Sequence, residues 1–506
     1  VAATGRNLYT YLDIELQQLA EKLMTNKVGS IVAIDPQTGG ILAMVSGPSF
    51  DPNDLTGSTR RGKYASLALD VSAPLMNRAT RGLYEPGSTF KPIGGLVALD
   101  MGVITANYGV ACSGAYHGCA KLIRCEHRNP GHAANMRLAL ANSCNSYFCQ
   151  IYRLSLDNNK DRGVKKGYTR WKDYMNAFGW GLRLGVDLPN ELPGNIPDTT
   201  EYNKDYRGSW NSCTNVTLGI GQDKMQVTPV QLANAMCIIA NKGFYYTPHF
   251  VEKIENESTK DTWLNEFTEK HAALTHISDN DYEMIHAGMQ DVVESGTARS
   301  ARIPGISICA KTGTSEKYTI LDGKRIKLPN NSMFVCFAPR ENPKIAIAVA
   351  VENAGFGSTW ASPIASFLIE KYLTDSIRTD RMKEVERISN TNLMPSYLKR
   401  KQFIADSTRA YFYFNLRKDS SYIKRYLRGY TNNEKKPVKT IQPVKVKTVT
   451  DSTKRITDKA IQKHQDSSAG NTVSDKEIIH IKKPVRKHEE EWYISDEKHL
   501  KNQSAR

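Results

Sequence analysis

Three short patterns in this chain have the residue types and spacing for chemistry. Ser88-Thr89-Phe90-Lys91 is a Ser-x-x-Lys. In a helix the lysine follows the serine by about one turn and shares its face. An amine placed there can take the hydroxyl proton, provided burial or a nearby cation lowers its pKa from ~10.4. Ser143-Cys144-Asn145 is a Ser-x-Asn. A second hydroxyl can relay a proton between the lysine and a leaving amine, and the amide can hydrogen-bond a peptide-like substrate. Lys311-Thr312-Gly313-Thr314 ends an apolar run. A glycine on a strand admits a substrate backbone closely. The lysine and the threonines can hold a carboxylate, and a strand-edge N–H can face an oxyanion. The chemistry these groups share is acyl transfer through a serine.

Each pattern alone is weak. Ser-x-x-Lys recurs at Ser396–Lys399, Ser421–Lys424 and Ser495–Lys498, and Ser-x-Asn at Ser209–Asn211 and Ser278–Asn280. A lone instance is more often a solvated helix face, a helix cap or a turn. Order makes the set specific. The serines at 88 and 143 are 55 positions apart, and Lys311 lies 168 beyond the second.

The elements that must position them follow from periodicity. Leu12 to Met24 has apolar residues at helical spacing. Ser30 to Pro36 and Ile41 to Ser46 read as a hairpin turned by residues 37–40. Ile306–Thr312, Ser332–Ala338 and Lys344–Val351 read as three more strands, with a turn over Pro339–Pro343. A helix is expected from Ala361 to Leu373. Strands thus bracket a long, mostly helical middle from Ser88 to Gln290, which argues α+β rather than alternating βαβ.

Composition bounds the rest. The 506 residues are 40% apolar and 24% charged, which excludes a wholly disordered or collagen-like chain. No apolar run approaches the ~18 residues of a membrane span. The net charge of +16 is uneven: residues 1–380 carry 39 Lys+Arg against 37 Asp+Glu, and residues 381–506 carry 29 against 15. A basic tail can meet nucleic acid or an anionic membrane, but is more often simply solvated. Residues 376–430 read as a partly helical extension and 431–506 as a basic disordered tail. Nine cysteines, all before position 340, do not read as a disulfide scaffold, and Cys237, Cys309 and Cys336 read as buried small hydrophobes.

The three patterns in this order match the serine acyl-transfer set of penicillin-binding proteins and serine β-lactamases. The stretches Pro74–Ala79, Tyr84–Pro92, Ser143–Phe148, Gly219–Gln222, Thr228–Ala233, Val293–Ala298, Ala310–Thr314 and Phe337–Pro339 resemble class B penicillin-binding proteins. Within that class they are most similar to the elongation branch, penicillin-binding protein 2. The resemblance covers about residues 8–375 and implies an α+β transpeptidase domain over 1–375, with a five-stranded antiparallel sheet, flanking helices and a helical subdomain. It implies a peptidoglycan D,D-transpeptidase acting in wall elongation and acylated by β-lactams, with no cofactor. Ser88 would be the nucleophile and Lys91 its base. Ser143 and Asn145 would form the second motif, with Ser143 in the proton relay. Lys311, Thr312 and Thr314 would bind the terminal carboxylate of D-Ala–D-Ala stem peptides, Gly313 would belong to the same substrate-binding strand, and the N–H groups of Ser88 and Thr314 would form the oxyanion hole.

The family's N-terminal membrane helix and pedestal domain are not found in these residues, so a truncated sequence is expected. The resemblance places the catalytic domain in the periplasm, tethered to the inner membrane, beside a SEDS-type glycan polymerase and the elongation machinery. No nucleic-acid partner is expected. A cluster of Cys112, His117, Cys119, Cys125, His127 and His132 departs from the family pattern. Some penicillin-binding protein 2 relatives carry zinc near this loop, and zinc, disulfides and free thiols all remain open here. The rival functions are a D,D-carboxypeptidase or β-lactamase, a β-lactam sensor, and a truncated bifunctional enzyme. A β-lactamase needs a positioned base for deacylation, and no recognisable motif supplies one.

Overall fold

The computed structural model describes residues 5–421, apart from 128, 159, 161, 162, 257–261, 275, 322, 323 and 420. Five antiparallel strands form the central sheet: β1 (Gly29–Ile34), β2 (Ile41–Gly47), β3 (Cys309–Leu321), β4 (Lys324–Ala338) and β5 (Ile345–Val351). Their spatial order is β2-β1-β5-β4-β3, which leaves β3 on an edge. The α+β class and the five-stranded antiparallel sheet are as expected from the sequence.

Both faces of the sheet are covered, which explains why its strands read as continuous apolar runs. Alternate side chains go to opposite sides. Ile31, Phe334 and Ile347 pack with helices α1 (Ile14–Met24) and α5 (Ala361–Thr374) in one core. Val32, Val335 and Ala348 pack with the helical middle in the other. There, helix α4 (Pro229–Ala240) is buried along its whole length and opens on a capping box between Thr228 and Gln231. The turn of the first hairpin and that after β4 fall where the sequence places them.

One expectation was too short. β3 and β4 run past Thr312 and Ser332 as a long hairpin, with Gly313 opposite Met333 and Thr312 opposite Phe334. The added stretch is polar and contains Pro329, so it lacks the alternation that marks a half-buried strand. The helical middle also holds small two-stranded pairs, among them Ala115–Tyr116 with Ile123–Arg124. Beyond the sheet, helices occupy Met382–Asn390 and Ser396–Arg417. Lys27, fully buried, donates to the carbonyls of Thr25 and Ile388 at 2.8 and 2.7 Å and so ties the first of these helices to α1. The expected disordered tail, 431–506, lies outside the described residues. No helix among the described residues is long and apolar enough to cross a membrane.

Candidate active site

Ser88 sits on a single 3-10 turn, Gly87–Phe90, that runs into helix α2 (Lys91–Asp100). Pro92 suits the first helical turn, where no N–H is needed. Gly87 has φ +56°, and a Cβ there would lie 2.7 Å from the Thr314 carbonyl oxygen, so only glycine lets this turn approach β3. The Gly87 N–H also donates to the Gly221 carbonyl at 2.8 Å. The turn is therefore wedged between the edge strand and the Gly219–Gln222 loop.

Lys91 is fully buried, and Nζ donates to Ser143 O at 2.6 Å, Ser143 Oγ at 3.0 Å and Asn145 Oδ1 at 2.7 Å. From the sheet, buried Lys311 donates to the same Ser143 Oγ at 2.9 Å. One hydroxyl thus joins two lysines from opposite sides. Burial lowers the Lys91 ammonium to about 8. Burial first, and then the charge of Lys91, holds Lys311 well below the usual lysine range. Ser143 reaches this point with φ +52°, between a short helix, Met136–Ala141, and helix α3 (Asn145–Leu156). A non-glycine residue held in that region is strained by about 1–3 kcal/mol, and such strain gathers at functional sites.

Ser88, Ser143 and Asn145 line one cleft of about 440 Å3, together with Thr312 and Thr314 from the strand. The Gly313 backbone runs between them, and a Cβ on it would lie 2.7 Å from Thr89 Cγ2. Every expected site residue is therefore in or directly behind the cleft. Sequence reasoning missed several others. Thr297 shares a 2.7 Å hydrogen bond between hydroxyls with Thr312. Its stretch, Val293–Ala298, was noticed only for its resemblance. Glu126, Asn330 and Phe356 also line the cleft with no local pattern to mark them, and His127, singled out for the Cys/His cluster, lines it too.

The Cys/His cluster divides in two. Cys119 forms a disulfide with Cys213, 94 residues away, rather than with a cysteine of its own loop. Cys112, Cys125 and His132 are instead joined by Cys144, with all four ligand atoms within 4.8 Å of one another and all four residues buried. His117 and His127 are not in this group. Three sulfurs and one imidazole nitrogen at such spacing suit a tetrahedral zinc. The hydrogen bond between the two thiols pulls the Cys125 thiol down, while that same bond first and then burial push the Cys144 thiol up. Cys144 is also the cap of helix α3 and the middle residue of Ser143-Cys144-Asn145. Asn145 Nδ2 donates to Arg124 O at 2.8 Å, so the cysteine loop and the second motif are one assembly.

With this geometry in place, comparison with known proteins is informative. The family model described as the penicillin binding protein transpeptidase domain matches residues 29–370. A peptidoglycan D,D-transpeptidase MrdA from Acinetobacter baumannii is 34% identical over 371 residues, 71% of this chain and 52% of that protein. The chain thus spans about half the length of that curated relative. A crystal structure of Pseudomonas aeruginosa PBP2 in complex with WCK 5153 superposes with a TM-score of 0.63 at 31% identity, covering 75% of this chain and 79% of the other. A ceftriaxone acyl-enzyme complex of penicillin-binding protein A from M. tuberculosis gives a TM-score of 0.59 at 26% identity, covering 74% and 81%.

Proposed function

Since the chain belongs to the penicillin-binding protein transpeptidase family, we propose that it is a serine D,D-transpeptidase that cross-links peptidoglycan stem peptides during wall elongation. The observation that carries this reading is the Lys91–Ser143–Lys311 bridge beside Ser88. With its pKa near 8, Lys91 has a neutral fraction at ordinary pH and can take the Ser88 proton. Ser88 Oγ then attacks the carbonyl of the D-Ala–D-Ala bond. The backbone N–H groups of Ser88 and Thr314 receive the oxyanion. The proton passes through the Ser143 hydroxyl to the departing D-Ala amine, and the acyl group stays on Ser88. Lys311, Thr312 and Thr314 hold the donor's terminal carboxylate, with Thr297 fixing the Thr312 hydroxyl. An amine from a second stem peptide releases the acyl group. β-Lactams enter as mimics of the donor.

Cys112, Cys125, His132 and Cys144 would hold a zinc ion with all four positions filled by protein, so its contribution is structural. It would fix the backbone on either side of Cys144, and so Ser143 and Asn145. The Cys119–Cys213 disulfide supports an oxidising compartment, in keeping with a periplasmic catalytic domain tethered to the inner membrane. A SEDS-type glycan polymerase is the partner this role requires. The deciding experiment is intact-mass spectrometry after incubation with a penicillin. A stable single adduct is expected on the wild type and none on Ser88→Ala. Sustained antibiotic hydrolysis without an adduct would replace this reading with a β-lactamase.

A further inference from the structure

The two walls of the cleft differ in the groups they offer a substrate. Lys311, Thr312 and Thr314 come from the sheet edge, and they suit the donor's carboxylate. Glu126 comes from the opposite side. It lies two residues after Arg124, whose carbonyl takes the Asn145 amide at 2.8 Å, and it is an exposed cleft-lining residue on the stapled cysteine loop. Among the described residues Glu126 has no ion-pair partner. A donor that carries its own carboxylate gains nothing from a second anion in the cleft. The other substrate, an amine that is an ammonium ion in solution, does. An exposed carboxylate on the loop wall attracts such a cation into the cleft.

We propose that Glu126 binds the incoming acceptor amine as its ammonium ion and so makes the second half-reaction selective for cationic acceptors. This inference rests on the acyl-transfer reading above. The ammonium docks on the Glu126 carboxylate and loses one proton to solvent. The neutral amine nitrogen then forms its bond to the acyl carbon, and the bond from that carbon to Ser88 Oγ breaks. The amine's second proton goes through Ser143 to Ser88 Oγ, which restores the hydroxyl. The loop is built to hold such a group still: the Cys119–Cys213 disulfide fixes the hairpin Ala115–Arg124, and Cys125, the residue before Glu126, is buried.

The test uses the full chain, an N-acyl-D-alanyl thioester as donor, and two acceptors. Glycinamide is largely an ammonium ion at pH 7, and hydroxylamine is largely uncharged there. Partition of the acyl-enzyme between aminolysis and hydrolysis is read by product analysis. Glu126→Gln is expected to raise the glycinamide concentration for half-maximal aminolysis about tenfold. With hydroxylamine the change stays within about twofold, and Glu126→Asp recovers part of the loss. Equal changes with both acceptors, or no change with either, would overturn the proposal. Failure of the wild type to form any acyl-enzyme with the thioester, measured first, would instead bring down the transpeptidase reading on which it stands.

Discussion

The two walls of the cleft are built by different physics. The strand wall is the edge of a sheet whose faces are both buried, and Lys311 is held there by an apolar core on either side. The loop wall, from Cys112 to Asn145, has little regular structure beyond a two-residue hairpin and short helical turns. It is held by a disulfide, by a Cys/His cluster and by single hydrogen bonds to the second motif. Burial fixes the first wall, and staples fix the second. The two walls should therefore fail in different ways.

The largest effect is expected from breaking the strand wall. Gly313→Val would drive a side chain into Thr89, whose methyl is 2.7 Å from the site of a Cβ, and into the Pro86 carbonyl at 3.0 Å. The strand must then move away from the Ser88 turn. A displacement of about 1 Å at a reacting centre costs on the order of 100-fold, and penicillin acylation should fall at least that far. Stopped-flow acylation kinetics would show it, and near-normal rates would mean the strand does not position the substrate.

Next in size is the loop wall's metal cluster. The protein as purified is expected to contain about one equivalent of zinc. A strong chelator, or Cys125→Ser, should remove it, lower Tm by about 5 °C or more, and slow acylation about 10- to 100-fold. Elemental analysis with thermal melts decides this. A metal-free protein of unchanged Tm would reduce the cluster to a set of packed thiols. The disulfide follows. Cys213→Ser opens a link between residues 94 apart and should cost about 2–4 kcal/mol of stability, while acylation per folded molecule changes less. Denaturant unfolding monitored by two probes separates the two effects.

The same contrast governs what the sequence reveals. The strand wall was legible because burial on two faces writes itself as apolar runs, and because Ser88, Lys91 and Lys311-Thr312-Gly313 stand in the order of the family the chain resembles. Three things stayed hidden. Ser143 has a left-handed backbone that no residue type announces. Cys144 reads as filler between Ser143 and Asn145, yet it completes a cluster with Cys112, Cys125 and His132 from across the loop. Cys213 is too far from Cys119 in sequence for the pairing to be chosen among nine cysteines. Staples between distant residues leave no periodic trace. They surface only when the fold brings their ends together, and so does Glu126 on the same loop.

The most diagnostic comparison, and for Lys27 the smallest effect on activity, concerns two buried lysines in different parts of the molecule. Burial lowers both Lys91 and Lys27 to about 8. In each, the folded state disfavours the ammonium relative to the unfolded chain, where lysine titrates near ~10.4. The penalty is therefore fully present below pH 8 and fades as pH rises from about 8 toward 10, so stability should climb through that window. Both lysines contribute to that climb, but only Lys91 faces Ser143 and the cleft, whereas Lys27 faces the carbonyls of Thr25 and Ile388. In the proposed mechanism acylation needs Lys91 neutral, so its rate should rise roughly tenfold between pH 7 and pH 9 and then level off. Replacing Lys27 by Met removes one contribution to the stability slope and leaves the acylation profile unmoved. Replacing Lys91 by Arg, which keeps its proton, should abolish both the profile and most of the activity. A wild-type acylation rate that is flat across this window would mean that some group other than Lys91 takes the proton from Ser88.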